Sequence, residues 1–182
     1  MDDFISKLTG KQALKIVQRL GQKGGKLREA VLSETMNVLT EFDLDDTADE
    51  VVTLLESIDV RDCWDRSGSS RYGYTSPDEA ATELIEEELQ PFIDQVERYH
   101  KMGLPEQEAV YCMGVILGIY RYEREAKSEF RQWCEDIPAE FGGFLLDKWR
   151  KRNPDGARIN AMHDFIRTRC PEWANWLKHT KV

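Results

Sequence analysis

The sequence predicts an all-α protein in which layered antiparallel helix pairs, as a helical repeat or an irregular bundle, surround one central apolar helix. Apolar residues recur every three to four positions over most of the 182 residues, and no polar–apolar alternation is long enough for a convincing strand. The six prolines and twelve glycines lie mostly at the edges of these stretches. With 41% hydrophobic and 32% charged residues, the chain has enough apolar material for a core. We therefore expect a single domain over residues 1–182.

Three short helices are predicted in the first part of the chain. The first begins after Thr9 and ends near Gly21, and the second spans about residues 26–39. The third follows the acidic segment 43–47, whose carboxylates suit a helix N-terminus. Each carries an apolar stripe at helical spacing, and in the first helix this stripe consists of Ala13, Ile16, Val17 and Leu20.

Residues 59–75 interrupt this periodicity and are predicted to be the longest irregular loop. A strong helix start follows, with Ser76 as N-cap, Pro77 in the first turn and Glu79 completing a capping box. The apolar stripe of this helix stays in phase across Pro91. One kinked helix extending to about residue 102 is therefore expected rather than two.

The segment Ala109 to Tyr120 is apolar nearly all round and is predicted to be the central helix. A helix without a polar face must be surrounded by others, and this segment is too short to cross a bilayer. Gly114 and Gly118 are four residues apart on it. They should allow a neighbouring backbone to approach closely.

The C-terminal part, residues 147–182, is predicted to be helical and basic. Helix starts are expected after Pro138, at Asn153-Pro154 and at Pro171. Residues 147–182 contain nine basic and four acidic side chains, whereas residues 1–146 contain 16 basic and 30 acidic ones. This part is interpreted as a solvated face that neutralises the acidic body, and the alternative is a nucleic-acid-associated protein. In that alternative the stacking surfaces would be Trp149, Trp173 and Trp176.

Cysteine and histidine spacing favours neither a metal site nor a cofactor. The four cysteines lie far apart and are expected to be free, buried thiols: Cys63, Cys112, Cys134 and Cys170. Glu97 and His100 form a single Glu-x-x-His pair, whereas a carboxylate-bridged di-metal bundle needs two. No metal and no cofactor are therefore expected.

An enzyme of unknown class is a further alternative. It would need Cys63, His100 or His163 in one pocket, because the sequence contains neither a phosphate-binding glycine loop nor a G-x-S-x-G motif. The N-terminus has no basic region followed by an apolar one, and no apolar stretch is long enough to span a membrane. The sequence thus predicts a cytoplasmic protein without membrane contact.

Six segments between residues 7 and 122 are informative together: Glu41 to Asp46, Leu55 to Val60, Trp64-Asp65-Arg66, Tyr72-Gly73-Tyr74, Glu79-Ala80-Ala81 and Gly114 to Tyr120. In these segments the chain resembles the helical region of uncharacterised prokaryotic proteins that carry a SWIM-type zinc finger. The finger's cysteine and histidine ligands are absent from this chain, so a nucleic-acid role implied by the finger does not transfer. The resemblance implies a stand-alone helical-repeat or bundle module.

The leading functional hypothesis is a non-enzymatic module that binds a protein partner through the segment 59–75. Arginine, tryptophan and tyrosine dominate binding hot spots, and this segment supplies Arg61, Trp64, Arg66, Arg71, Tyr72 and Tyr74. Alternatively, the aromatic residues pack the loop onto the helices while the arginines pair with Asp59, Asp62 and Asp65. The partner is left open, and surfaces of opposite charge could also drive self-association.

Overall fold

The computed structural model describes residues 2–71, 73–134 and 136–174, and it confirms the all-α prediction. The chain divides into two compact units, residues 1–42 and residues 43–182. The single domain therefore stays a prediction. None of the helices in the described part is both long and apolar enough to span a bilayer.

The first unit is a helical hairpin. It consists of α1 (Asp2–Ile5), α2 (Gly10–Gln22) and α3 (Gly25–Thr40). As predicted, α2 begins after Thr9, whose side chain forms a capping box with Gln12. Gly24 and Gly25 have φ angles of 72° and 56°, which glycine adopts without steric cost, and they make the turn between the helices. Among the described residues of α2 and α3, none is buried.

The second unit contains the remaining elements. They are, in order, α4 (Leu44–Glu56), α5 (Val60–Arg66), β1 (Gly68–Ser70), β2 (Gly73–Thr75), α6 (Pro77–Lys101), α7 (Pro105–Glu125), a 3-10 helix (Phe130–Trp133), α8 (Ile137–Arg152) and α9 (Gly156–Arg169). Asp43 caps α4 by accepting hydrogen bonds from two backbone N–H groups, as the acidic segment predicted. The helix α6 runs unbroken through Pro91, so the prediction of one helix is confirmed.

The prediction of an irregular loop over residues 59–75 is wrong. The segment contains the helix α5, whose N-cap Asp59 accepts a hydrogen bond from the Arg61 backbone at 2.9 Å. It also contains an antiparallel hairpin of β1 and β2, in which Ser69 lies opposite Tyr74. Both elements are too short for a periodic pattern to develop, so local caps and glycines define them instead.

The start of α9 also differs from the prediction. Its N-cap is Asp155, which accepts hydrogen bonds from two backbone N–H groups, and not Asn153. Asn153 is buried, and its side chain donates to the Trp149 carbonyl oxygen at 3.0 Å at the end of α8. The predicted final helix after Pro171 lies largely outside the described residues, as do Trp176 and Leu177.

The core of the second unit is built around α7, which packs against α4, α6, α8 and α9. Nearly every position from Ala109 to Tyr120 is buried, although Val110 remains exposed, so the predicted central helix is confirmed. The closest approach is made by α4. A Cβ atom built on Gly118 would lie 2.7 Å from the Ala48 carbonyl oxygen, and one built on Gly114 would lie 2.9 Å from the Leu44 carbonyl oxygen. The predicted role of these two glycines is therefore confirmed.

Candidate functional site

The residues predicted to bind a partner are spread over α5 and the hairpin that follows it. Arg61 is exposed in the first turn of α5, and Arg71 is exposed between the two strands. Tyr74, in β2, is 66% exposed, which is high for a tyrosine. Tyr72 lies outside the described residues. Tyr74 thus does not pack inward, contrary to the alternative interpretation.

Trp64 is the most informative of these residues because it stacks on a second tryptophan. Its ring meets Trp133, in the 3-10 helix, edge to face with ring centroids 4.8 Å apart. Trp64 is 47% exposed and Trp133 is 37% exposed, so the pair keeps a large apolar area in contact with solvent. Trp133 was not assigned to this site from the sequence.

Arg66 holds α5 in place. Its guanidinium lies 2.8 Å from the Glu87 carboxylate on α6, and this hydrogen bond lowers the pKa of Glu87 and raises the pKa of Arg66. The local pairing with Asp59, Asp62 or Asp65 that the sequence suggested is replaced by this longer-range contact. Arg66 therefore holds α5, which carries Trp64, against α6.

Cys63 makes a second connection between α5 and the start of α6. The residue is buried, and its thiol donates to the Pro77 carbonyl oxygen at 3.1 Å. Burial and the nearby Asp78 carboxylate both raise the pKa of this thiol. A nucleophilic cysteine needs a lowered pKa, so this environment does not activate Cys63.

An open pocket of about 390 Å³ adjoins Trp133. Three carboxylates and no cation are among its described lining residues, which are Asp78, Gln132, Trp133, Cys134, Asp136, Ile137 and Glu140. The pocket therefore offers negative charge directly beside the exposed tryptophan pair. A ligand that carries an apolar or aromatic group next to a cationic group would match this combination, with the apolar group on the tryptophan pair and the cation in the pocket.

A buried charge cluster forms a second constellation, which was not predicted from the sequence. Glu108, in the first turns of α7, is completely buried. Its Oε1 lies 3.0 Å from Arg152 Nη2, and its Oε2 lies 3.2 Å from His100 Nδ1. Glu108 Oε1 and Arg152 Nη2 have no partner with hydrogen-bond geometry, so the contact is an ion pair. The cluster ties the ends of α6 and α8 to the start of α7.

A signal for this cluster is nevertheless present in the sequence. Glu108 stands four residues before Cys112 and seven before Val115, in phase with the buried stripe of α7. An acidic residue in such a stripe indicates a buried carboxylate that needs a cationic partner. Arg152 follows 44 residues later, so that partner could not be read from local spacing.

One pairing that the enzyme alternative could use, Cys63 with His100, is excluded by the distance between the two residues. Cys63 contacts Pro77 at the start of α6, and His100 lies in the last turn of the same helix. A rise of about 1.5 Å per residue separates the two ends by about 35 Å. His163, in α9, has its Nε2 3.2 Å from Arg150 Nη2. Arg150 lies in the last turn of α8, as does Arg152. Cys63 and His100 are therefore not in one pocket.

The basic C-terminal part is largely neutralised where it is described. Its arginines each have a carboxylate within 4 Å; these are Arg150, Arg152, Arg158, Arg167 and Arg169. Trp149 and Trp173 are buried, so the suggestion that they stack on nucleic-acid bases is wrong. Trp176 lies beyond the described residues. The contacts agree with a basic surface that neutralises acidic neighbours.

The Glu97–His100 pair is also engaged elsewhere. Glu97 forms ion pairs with Lys148 and Lys101, and the hydrogen bond from Lys148 lowers the pKa of this carboxyl. His100 instead faces Glu108. Within the described ranges, no three histidine, cysteine or acidic residues are grouped as a metal ion would require.

We expect the four cysteines to be protected from thiol reagents in the native protein. All are buried, and burial raises the pKa of each thiol, for Cys170 to about 12. Because the thiolate is the reactive form, reaction with Ellman's reagent at about pH 8 should be about 100-fold slower than in denaturant. A thiol that reacts equally fast in both conditions, identified by mass spectrometry, would contradict the burial of that residue.

Comparison with known proteins gives no relative. No protein-family model matches the chain, and neither a curated protein nor a solved structure is similar to it. The likeness to the helical region of SWIM-finger proteins therefore stays an expectation. The functional proposal rests on the geometry of the described residues alone.

Proposed function

We propose that the protein is a non-enzymatic binding module whose exposed Trp64–Trp133 pair anchors a protein partner. The observation that carries the proposal is this pair, which is held edge to face and open to solvent beside the acidic pocket. Tryptophan is the residue type most enriched in binding hot spots, and a rigid ring loses little conformational entropy on binding. The partner is a protein segment with an apolar side chain next to lysine or arginine.

The charge of the pocket supports a basic segment over an acidic one. Asp78, Asp136 and Glu140 line the pocket without a described cation among its lining residues. An approaching lysine or arginine would therefore gain attraction, whereas a carboxylate would be repelled. Arg61, Arg71, Tyr72 and Tyr74 are proposed as contacts at the rim, where charges affect specificity and association rate more than affinity.

Two contacts hold α5 against α6 beside Trp64. Cys63 and Arg66 fasten α5 to α6 on either side of Trp64 in the sequence. A side chain held in its bound geometry before binding contributes more affinity than one that must first be ordered. The partner would thus meet a preformed surface.

Replacing Trp64 by alanine should remove binding without unfolding the protein. The test is a peptide array that samples apolar residues flanked by lysine or arginine, or by glutamate or aspartate. We expect the wild-type protein to select basic peptides and Trp64→Ala to weaken their binding by about 30-fold, as for the loss of a hot spot of about 2 kcal/mol. Met102→Ala is the matched control because Met102 is exposed just after α6, at the end of that helix away from the contact with Cys63.

Circular dichroism and the urea midpoint distinguish a lost contact from a lost fold. The circular dichroism should be unchanged in Trp64→Ala, whereas the free energy of unfolding should fall only by roughly 1–2 kcal/mol, because about half of this side chain is buried. A preference for acidic peptides, or basic-peptide binding that Trp64→Ala leaves intact, would refute the proposal. Equal losses in Trp64→Ala and Met102→Ala would place the binding surface elsewhere.

A further inference from the structure

The Trp64–Trp133 pair forms a corner between two aromatic ring faces. The two ring planes meet at 79°, and the ring centroids lie 4.8 Å apart. In such a T-shaped pair one ring stands on the face of the other, so a right angle remains with one ring face on each side. Trp64 is 47% exposed and Trp133 is 37% exposed, so a ligand can reach the pair from solvent.

Negative charge lies beside this corner. Trp133 lines the acidic pocket of about 390 Å³ together with Asp78, Asp136 and Glu140. Asp78 lies in the first turn of α6, Asp136 directly precedes α8 and Glu140 lies in the first turn of α8. The face of an aromatic ring and a nearby carboxylate both attract a cation. The corner therefore favours a positively charged group.

Two indole faces suit a methylated ammonium better than the ammonium of an ordinary lysine. The lysine ammonium is compact, strongly hydrated and carries three N–H donors. An indole offers these donors no acceptor atom, because its only polar group is itself a donor. Trimethylation keeps the positive charge and replaces the N–H groups by methyl groups, which can pack on the rings. Less hydration is then lost when the cation enters the corner.

We propose that the corner binds a methylated ammonium group, with its methyl groups on the rings of Trp64 and Trp133 and its charge beside the carboxylates of the acidic pocket. The inference rests on the proposed function, since it names the group that the same tryptophan pair recognises. A trimethylammonium combines in one group the apolar surface and the positive charge that the pair and the pocket select. Its source is either a trimethylated lysine of a partner protein or a free quaternary ammonium compound.

The test compares three forms of one short, fluorescently labelled peptide that has leucine beside lysine. The lysine is unmethylated, trimethylated, or replaced by an analogue in which a neutral tert-butyl group takes the place of the trimethylammonium. Fluorescence anisotropy measures the binding of each form to the full-length protein. We expect the trimethylated peptide to bind about tenfold more tightly than either other form, because contact with two ring faces uses both the charge and the methyl groups.

The variant Trp64→Leu separates the ring face from the apolar contact. Leucine keeps an apolar side chain but has no aromatic face, so this variant should bind the trimethylated and tert-butyl peptides about equally. Trp64→Phe retains a smaller ring and should keep a preference of about threefold. Met102→Ala is the control, because Met102 is exposed just after α6, and it should keep the wild-type preference. Circular dichroism of each variant shows whether its helices are retained.

Titration with choline distinguishes the two sources of the group. Binding is followed by NMR through the indole N–H resonances, which are assigned with the variants of Trp64 and Trp133. Choline that binds within about threefold of the trimethylated peptide would assign the corner to a free quaternary ammonium compound. Weaker choline binding, with the peptide preference retained, would assign it to a methylated protein. The neutral isostere 3,3-dimethylbutanol should bind about tenfold more weakly than choline.

Three results would overturn the inference. Equal binding of the trimethylated and unmethylated peptides would show that the pair does not recognise methylation, and the proposed function would still stand if Trp64→Ala removed that binding. Equal binding of the trimethylated and tert-butyl peptides would reduce the corner to an apolar surface. A preference that survives in Trp64→Leu would come from another site. Conversely, choline binding at the pair without any peptide binding would retain the inference and refute the proposed protein partner.

Discussion

Gly118→Ala is expected to lower the free energy of unfolding of the second unit by about 2 kcal/mol, and Gly118→Leu should abolish its cooperative transition. A Cβ at this position would lie 2.6 Å from Val51 Cβ and 2.7 Å from the Ala48 carbonyl oxygen. Neither atom can move away alone, because both belong to the backbone or to the base of a side chain on α4. Overpacking of about 1–3 kcal/mol therefore outweighs the helix propensity of up to about 1 kcal/mol gained from alanine.

The measurement is urea unfolding followed by circular dichroism, and Gly156→Ala is the control. Gly156 begins α9, and a Cβ atom added to it would meet no atom within 4 Å, so this change should be neutral or slightly stabilising. Gly114→Ala should fall between the two, since its closest contacts are 2.9 Å. If Gly118→Ala were as stable as Gly156→Ala, the close approach of α4 and α7 would be refuted.

Arg152→Met is expected to destabilise the second unit by about 3 kcal/mol, because it leaves the Glu108 carboxylate buried without its main counter-charge. Glu108 is completely buried, and among the described residues its other side-chain contact is with His100 Nδ1. Removing one partner of a buried ion pair costs about 3–5 kcal/mol, and His100 offsets part of this. The urea midpoint of the variant gives the difference directly.

The second variant in this test is the pair Glu108→Leu, Arg152→Met. Replacing both members of a buried ion pair by apolar residues is often nearly neutral, so the double variant should recover most of the lost stability. Arg158→Met is the control, because its partners Asp155 and Glu106 are exposed and such pairs contribute about 1 kcal/mol or less. A double variant less stable than Arg152→Met alone would show that the ion pair stabilises the fold in its own right.

Local signals in the sequence predicted most helix starts correctly. Thr9, Asp43 and Ser76 each cap the helix assigned to them, because an N-cap depends only on residues three or four positions away. The central helix and its two glycines were also predictable. A helix that is apolar on all sides must be buried, and two small residues four positions apart allow a neighbouring helix to approach closely.

The parts that could not be predicted depend on distant residues. The alternative interpretation paired Arg66 within its own segment, but Glu87 lies 21 residues away and reaches it only after α5 packs on α6. Trp133 joins Trp64 across 69 residues of sequence. Periodicity identifies the apolar face of α2, but it does not identify what covers that face.

Because four other helices pack against α7, we expect the helices of the second unit to unfold together. Each outer helix loses its main packing surface if α7 unwinds, so partial opening that spares α7 should be confined to the outermost turns. The Trp64–Trp133 pair lies near the start of α6 and the Glu108 carboxylate lies near its end. Both sites therefore depend on the same packed helices. Sequence changes can alter either end independently, provided that the residues facing the shared helix stay the same size.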